Sequence, residues 1–134
     1  MNPSTDKKTV LVVEDELGMR IFLRTLLETS GYRPVMSDNG QDGLAKAYAE
    51  KPDLILLDVM MPKQGGALMY VHLKMDDQLK EIPVIMLSAV GSKTFYHYLK
   101  MQNALADTYT PEPEAYVEKP PDPRVLLRML KKYI

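Results

Sequence analysis

Short runs of apolar residues recur along the chain without the alternation that a half-buried strand would show. The clearest run lies at 54–57 between Asp53 and Asp58, and others lie at 9–13 and 83–87. Unbroken apolar runs of this length are typical of strands that are buried on both faces. The pattern therefore predicts a parallel sheet covered by helices on each side.

Segments with helical spacing of apolar residues separate these runs. We predict helices at 17–30, 42–50, 67–78, 93–106 and 122–134, and two further strands at 32–37 and 115–118. Gly31 is expected to end the first helix, and Asp122 to cap the last one with Pro123 at its first position. Strand and helix alternate five times, which predicts an α/β fold with few possible topologies.

The same spacing predicts which side chains pack on the sheet. We expect these to face the core: Leu17, Ile21, Phe22, Leu23, Leu26 and Leu27 in the first helix, and Leu68, Val71 and Met75 in the third.

Composition limits the classes of protein that the chain can belong to. Its 134 residues suit one domain, which we place at 9–134 after a flexible tail at 1–8. Cysteine is absent, so disulfides and thiolate sites are excluded, and a reducing, cytoplasmic location is expected. A net charge of −1 and short apolar runs argue against direct binding to nucleic acid and against a membrane span.

Four of the five predicted strands end in a chemically reactive residue. Glu14 and Asp15 follow the first strand, Asp58 ends the third, Ser88 follows the fourth and Lys119 follows the fifth. In a sheet of strand order 2-1-3-4-5, the first and third strands are neighbours and the chain reverses direction between them. Their carboxyl ends then open into one crevice, where α/β sheets bind their ligands.

Three carboxylates in one crevice favour a bound cation. Each close pair repels by about 4 kcal/mol at about 4 Å in a medium of effective dielectric about 20. Oxygen ligands without His or Cys favour a hard ion such as Mg²⁺. A lysine and a hydroxyl beside such an ion suit a phosphoryl group, and one carboxylate can then act as the nucleophile that forms an aspartyl phosphate.

Each residue also has a purely structural explanation. The acidic pair could simply stabilise the start of a helix, Ser88 could be a turn residue, and Lys119 a solvated charge. The presence of all these residues at the carboxyl ends of the predicted strands favours a functional site.

Four motifs carry a family resemblance: Val12-Val13-Glu14-Asp15-Glu16, Leu56-Leu57-Asp58-Val59-Met60-Met61-Pro62, Leu87-Ser88-Ala89 and Tyr116-Val117-Glu118-Lys119-Pro120. With these motifs at this spacing, the chain resembles the receiver domain of the two-component response regulator family over essentially its whole length. The resemblance implies a flavodoxin-like (βα)5 doubly wound parallel sheet.

The resemblance also implies the chemistry. A sensor histidine kinase or histidine phosphotransfer protein would pass a phosphoryl group from its phosphohistidine to Asp58. Mg²⁺ would be held by Glu14, Asp15, Asp58 and the backbone carbonyl of Met60. The domain would hydrolyse its own aspartyl phosphate slowly and would thus be a signalling domain rather than a turnover enzyme.

Further roles follow from the same resemblance. Ser88 and Lys119 would contact the phosphoryl oxygens, and Tyr116 would be the switch aromatic that responds to Ser88. The Lys119–Pro120 peptide bond is expected to be cis, a form that costs only about 0.5–1 kcal/mol before proline. The output surface, for an effector or a second copy in a homodimer, would be formed by the fourth helix, fifth strand and fifth helix.

One segment departs from the family pattern. The chain between Ser88 and Lys119 is several residues longer than is typical, and its helix carries Phe95, Tyr96 and Tyr98. Because neighbouring helical residues point about 100° apart, these three cannot all face inward. We therefore expect part of this helix to be a contact surface.

Two other functions compete with this interpretation. A Mg²⁺-dependent phosphatase of the haloacid dehalogenase type also uses an aspartyl phosphate, but it needs an Asp two positions after the nucleophile, where this chain has Met60. A pseudo-receiver would serve only as a binding module, which the intact set of five site residues disfavours.

Overall fold

The computed structural model describes residues 7–59, 65–89, 91–106 and 109–134. Most of the predicted tail and Met60, the expected backbone ligand, lie outside these ranges. The described strands are β1 (Thr9–Val13), β2 (Arg33–Ser37), β3 (Leu54–Asp58), β4 (Val84–Ser88) and β5 (Ala115–Glu118). The helices are α1 (Leu17–Thr29), α2 (Gly40–Glu50), α3 (Gly66–Met75), α4 (Ser92–Ala106) and α5 (Pro123–Tyr133).

All strand pairs are parallel, and the sheet has the order β2-β1-β3-β4-β5. This confirms the predicted α/β fold and its strand order. β3 and β4 are buried at every position, as their unbroken apolar sequences indicate. β1 and β3 pair with Val13 beside Leu57, so the residues that follow β1 reach the same edge as Asp58.

Two hydrophobic layers cover the sheet, one on each face. The first packs α2, α3 and α4 against alternate strand residues such as Leu11 and Ile55. The second packs α1 and α5 against the residues between them, such as Val12 and Leu56. Alternate residues of a strand point to opposite faces, so a strand in the middle of this sandwich needs apolar residues throughout.

The first helix buries less of its apolar surface than predicted. Leu23 and Leu27 are fully buried, but Leu17, Ile21 and Phe22 are 62%, 49% and 37% exposed. The helix touches the sheet along a stripe narrower than its apolar surface. The remaining apolar residues lie near its first turns, at the edge of the sheet that carries Asp58.

The third helix buries a different set of residues from the one that its apolar spacing predicts. The buried residues of α3 include Met69, Tyr70 and Leu73, whereas Leu68 and Met75 are 45% and 60% exposed. Both sets have helical spacing, so periodicity alone could not choose between them. The choice depends on how the helix docks against β3.

Local expectations at three turns are confirmed. The Lys119–Pro120 bond is cis. Gly31 follows the end of α1 with φ of 90°, a conformation that favours glycine. Asp122 caps α5 by accepting a hydrogen bond from the Arg124 N–H at 2.9 Å.

The aromatic residues of α4 are partly buried. Phe95 is 2% exposed, and Tyr96 is half-buried against it. The side chain of Tyr98 lies outside what the structure describes. The expectation that part of α4 forms a contact surface therefore stays a prediction.

Candidate functional site

The turn between β1 and α1 presents the first two carboxylates. The Glu14 N–H donates to Ser37 O at 2.9 Å, which continues the pairing with β2 past the end of β1. The Glu16 N–H donates to Glu14 Oε2 at 3.0 Å, which turns that side chain back over the helix start. As a result, Glu14 is buried with 1% exposure, while Asp15 is exposed.

Asp58 ends β3 and is only 4% exposed. Gly66, the first residue of α3, packs directly on its backbone. A Cβ atom built on Gly66 would lie 1.7 Å from Asp58 O, a separation that no side chain can adopt. The chain therefore needs glycine there so that α3 can pack against the strand end that carries Asp58.

Sequence reasoning missed this role of Gly66, because the predicted third helix begins only at residue 67. The available signal was a glycine at the start of a helix that follows a buried strand. Glycine in such a position also permits close approach of two backbones.

Lys119 is the cation of the site. Its N–H donates to Ser88 O at 2.9 Å, which ties the end of β5 to the end of β4. Its Nζ lies 2.5 Å from Glu14 Oε1 and 3.4 Å from Asp58 Oδ2. Although burial opposes the charged ammonium, the two carboxylates raise the pKa of Lys119 above its usual value.

Burial raises the pKa of Glu14 to about 7. The hydrogen bonds from Lys119 and from the Glu16 N–H oppose this effect, and the negative charge of Asp58 adds to it. Glu14 therefore lies in an environment where a second cation would favour its ionised form.

Glu14, Asp15 and Asp58 each offer a carboxylate oxygen, and these oxygens lie within 4.8 Å of one another. The ligand set is oxygen only, as a hard cation such as Mg²⁺ requires. The chemistry and spacing of these donors therefore fit the ion that the sequence predicts.

Ser88 and Tyr116 lie on neighbouring strands and contact each other. Ser88 is fully buried, and Tyr116 is half-buried. Burial raises the pKa of Tyr116, while a side-chain hydrogen bond with Ser88 acts to lower it. The Tyr116 ring also packs at 5.8 Å from Phe95 and 6.0 Å from Tyr96, measured between ring centroids, so it links Ser88 to α4.

The structure thus brings together the predicted residues that it describes. Three carboxylates and Lys119 share the crevice beyond β1 and β3, and the Ser88 backbone anchors Lys119 beside them. A buried carboxylate next to a lysine and a potential metal site can act as a nucleophile toward a phosphoryl group.

Comparison with known proteins decides the family. Residues 10–131 match the family model for the response regulator receiver domain. The chain belongs to this family. It is a receiver domain of two-component signalling, a class of domain that interacts with histidine kinases and effectors and binds Mg²⁺ at an acidic pocket.

Individual relatives match over nearly the whole receiver domain. The polar-differentiation response regulator DivK of Brucella anthropi is 35% identical over 128 residues, which cover 95% of this chain and 96% of that protein. Chemotaxis protein CheY4 of Vibrio cholerae has a TM-score of 0.78 at 26% identity, covering 96% of this chain and 99% of that one.

A third match is the signal receiver domain of a histidine kinase from Syntrophus aciditrophicus, with a TM-score of 0.78 at 27% identity over 94% of this chain and 89% of that one.

Within the described ranges of this receiver, no helix is long and apolar enough to cross a membrane.

Proposed function

We propose that Asp58 is the phosphoacceptor of this receiver and that Mg²⁺ and Lys119 support the transfer. The observation that carries the proposal is the convergence of charges around one buried carboxylate. Asp58 lies 3.4 Å from the Lys119 ammonium and within one cluster with Glu14 and Asp15. Repulsion among its three carboxylates lowers the stability of the fold, so a purely structural role would not explain such a cluster.

The transfer breaks one bond and forms another. The partner's phosphohistidine loses its P–N bond, whose electron pair stays on the imidazole nitrogen, while an Asp58 carboxylate oxygen forms the new P–O bond. Lys119 is near enough to stabilise negative charge on the phosphoryl oxygens, and the Ser88 hydroxyl can donate a hydrogen bond to one of them.

Glu14, Asp15 and Asp58 would hold Mg²⁺, together with the Met60 carbonyl, which lies outside the described residues. The ion supplies charge neutralisation for the incoming phosphoryl group. Its binding requires Glu14 to be ionised, which the raised pKa of that residue disfavours until the cation arrives.

A phosphodonor protein must cover the crevice in order to reach Asp58. Leu17, Ile21 and Phe22 are exposed on the first turns of α1, a helix that begins two residues after Asp15. We propose that this apolar patch is where a sensor histidine kinase or histidine phosphotransfer protein docks. Exposed apolar residues beside a polar crevice are typical of an interface whose centre is dry.

We propose that the output surface is formed by α4, β5 and α5. A phosphoryl group that recruits the Ser88 hydroxyl would change its hydrogen bond with Tyr116, whose ring contacts α4. Glu118 on β5 and Arg124 and Arg128 on α5 are exposed. Both signs of charge on one surface suit an effector or a second copy related by two-fold symmetry.

The experiment is incubation with acetyl phosphate, with and without Mg²⁺, followed by intact mass measurement. We expect the mass of one phosphoryl group to appear only with Mg²⁺. Asp58→Asn should abolish this increase in mass. Asp53→Asn is the matched control, because Asp53 lies just before the other end of the same strand. Its carboxylate accepts a hydrogen bond from the Thr9 N–H there. Labelling of Asp58→Asn at the parental level would show that another residue is the acceptor.

A further inference from the structure

We propose that Arg20 is a positioning residue for the metal-binding carboxylates, above all for Asp15. The inference rests on the proposed metal site and concerns a residue of α1 that carries no part of the phosphoryl chemistry. Arg20 is the fourth residue of α1 and reaches back to the β1–α1 turn. There, its Nη1 donates to Glu14 O at 3.0 Å and to Asp15 O at 2.9 Å.

These two carbonyls belong to the peptide planes on either side of the Asp15 Cα. Because a peptide unit is planar, holding both carbonyl oxygens against one nitrogen restrains the two backbone dihedrals of Asp15. The direction of its Cα–Cβ bond, from which the carboxylate extends, is restrained as well. One guanidinium nitrogen therefore aims a carboxylate that it does not touch.

Asp15 depends on this contact more than Glu14 does. Glu14 is held independently by Ser37 O, by the Glu16 N–H and by Lys119. The Asp15 carboxylate is exposed and makes no hydrogen bond or ion pair with the residues that the structure describes. The helix start offers little other restraint, because Glu16 at the N-cap makes no side-chain capping bond.

The charge of Arg20 and its geometry have opposite consequences for metal binding. A cation beside three carboxylates competes with Mg²⁺, so removal of the charge alone would tighten metal binding. Loss of the backbone contacts would instead loosen Asp15 and weaken metal binding. The sign of the change therefore separates the positioning role from simple electrostatics.

The test uses Mn²⁺ binding to the unphosphorylated protein, followed by the electron paramagnetic resonance signal of the free ion, with Mg²⁺ as competitor. We expect Arg20→Met to weaken binding about tenfold, as loss of a residue that orients metal ligands typically does. Arg20→Lys keeps the charge and can donate a hydrogen bond to one carbonyl. Its affinity for Mn²⁺ should therefore lie between that of Arg20→Met and that of the parent. Arg24→Met is the matched control, since Arg24 lies one turn further along α1 and pairs with Glu28 at 3.6 Å.

Two further measurements separate positioning from general destabilisation. Amide hydrogen exchange should accelerate at 14–18 in Arg20→Met but not in the core strands. Phosphorylation by acetyl phosphate should need more metal yet reach the parental rate at saturating metal.

Each outcome decides a different claim. Unchanged or tighter Mn²⁺ binding by Arg20→Met overturns the positioning role and leaves the metal site in place. If Arg20→Met fails to fold, parental affinity of Arg20→Lys overturns it instead. A parent protein that binds neither ion overturns the metal site and this inference together.

Discussion

Lys119 lies closer to Glu14 than to Asp58, with its ammonium 2.5 Å from Glu14 Oε1 and 3.4 Å from Asp58 Oδ2. The two carboxylates are 1% and 4% exposed, so the ammonium of Lys119 offsets part of their negative charge when no metal is bound. Lys119 is therefore part of the resting structure as well as of the proposed chemistry.

Lys119→Met should destabilise the metal-free protein by about 1–3 kcal/mol. Removing one partner of a buried ion pair typically costs about 3–5 kcal/mol, but Glu14 can take up a proton because its pKa is already raised to about 7. Mg²⁺ should stabilise this variant more than the parent, since the competing ammonium is gone.

The measurement for Lys119→Met is thermal melting in chelator and in millimolar Mg²⁺. Lys131→Met on α5 is the control, because Lys131 is exposed and distant from the crevice. Equal melting temperatures of parent and Lys119→Met in chelator would contradict the proposed compensation.

Asp58→Asn should stabilise the metal-free protein by about 1 kcal/mol, or about 2–6 °C in melting temperature. Asparagine keeps the shape of the side chain and removes one of three clustered negative charges, while Lys119 keeps its closer partner Glu14. Mg²⁺ should then stabilise the variant less than the parent, because one anionic ligand is lost.

Thermal melting of Asp58→Asn and the parent in chelator and in Mg²⁺ checks both the expected gain in stability without metal and the smaller response to Mg²⁺. Asp38→Asn is an exposed control outside the cluster. If Asp58→Asn melts lower than the parent in chelator and responds equally to Mg²⁺, the three carboxylates do not share a metal.

Gly66→Ala should destabilise the fold by about 1–3 kcal/mol or more, because the added methyl group meets the Asp58 backbone and α3 must shift. Phosphorylation by acetyl phosphate should slow as well, since the strand end moves with it. Gly18→Ala is the control, as its Cβ would make only an ordinary contact and alanine favours a helix. Urea unfolding of both variants measures the difference, and parental stability of Gly66→Ala would refute the close packing.

Leu17→Asp should slow phosphotransfer from a partner histidine kinase and leave phosphorylation by acetyl phosphate unchanged. The physical reason is that a charge placed in the apolar patch on α1 opposes docking without reaching Asp58. Met75→Asp is a matched control, because Met75 is equally exposed but ends α3 far from the crevice. Equal loss of transfer in both variants would argue against a docking site on α1.

The sequence by itself determined the architecture and the identity of the charged groups. The uninterrupted apolar runs of β3 and β4 could only be satisfied in a covered parallel sheet, and Asp58 and Lys119 mark where two strands end. These properties depend on local order along the chain, which periodicity and turn residues report directly.

The tertiary structure decided what depends on how elements dock. α3 presents Met69 rather than Leu68 to the sheet, and Gly66 lets this helix pack against the backbone of Asp58. Arg20 reaches two backbone carbonyls that no spacing rule connects with it. Helix rotation and the reach of long side chains are set by contacts between segments, and several alternatives share the same apolar periodicity, so only the packed fold selects among them.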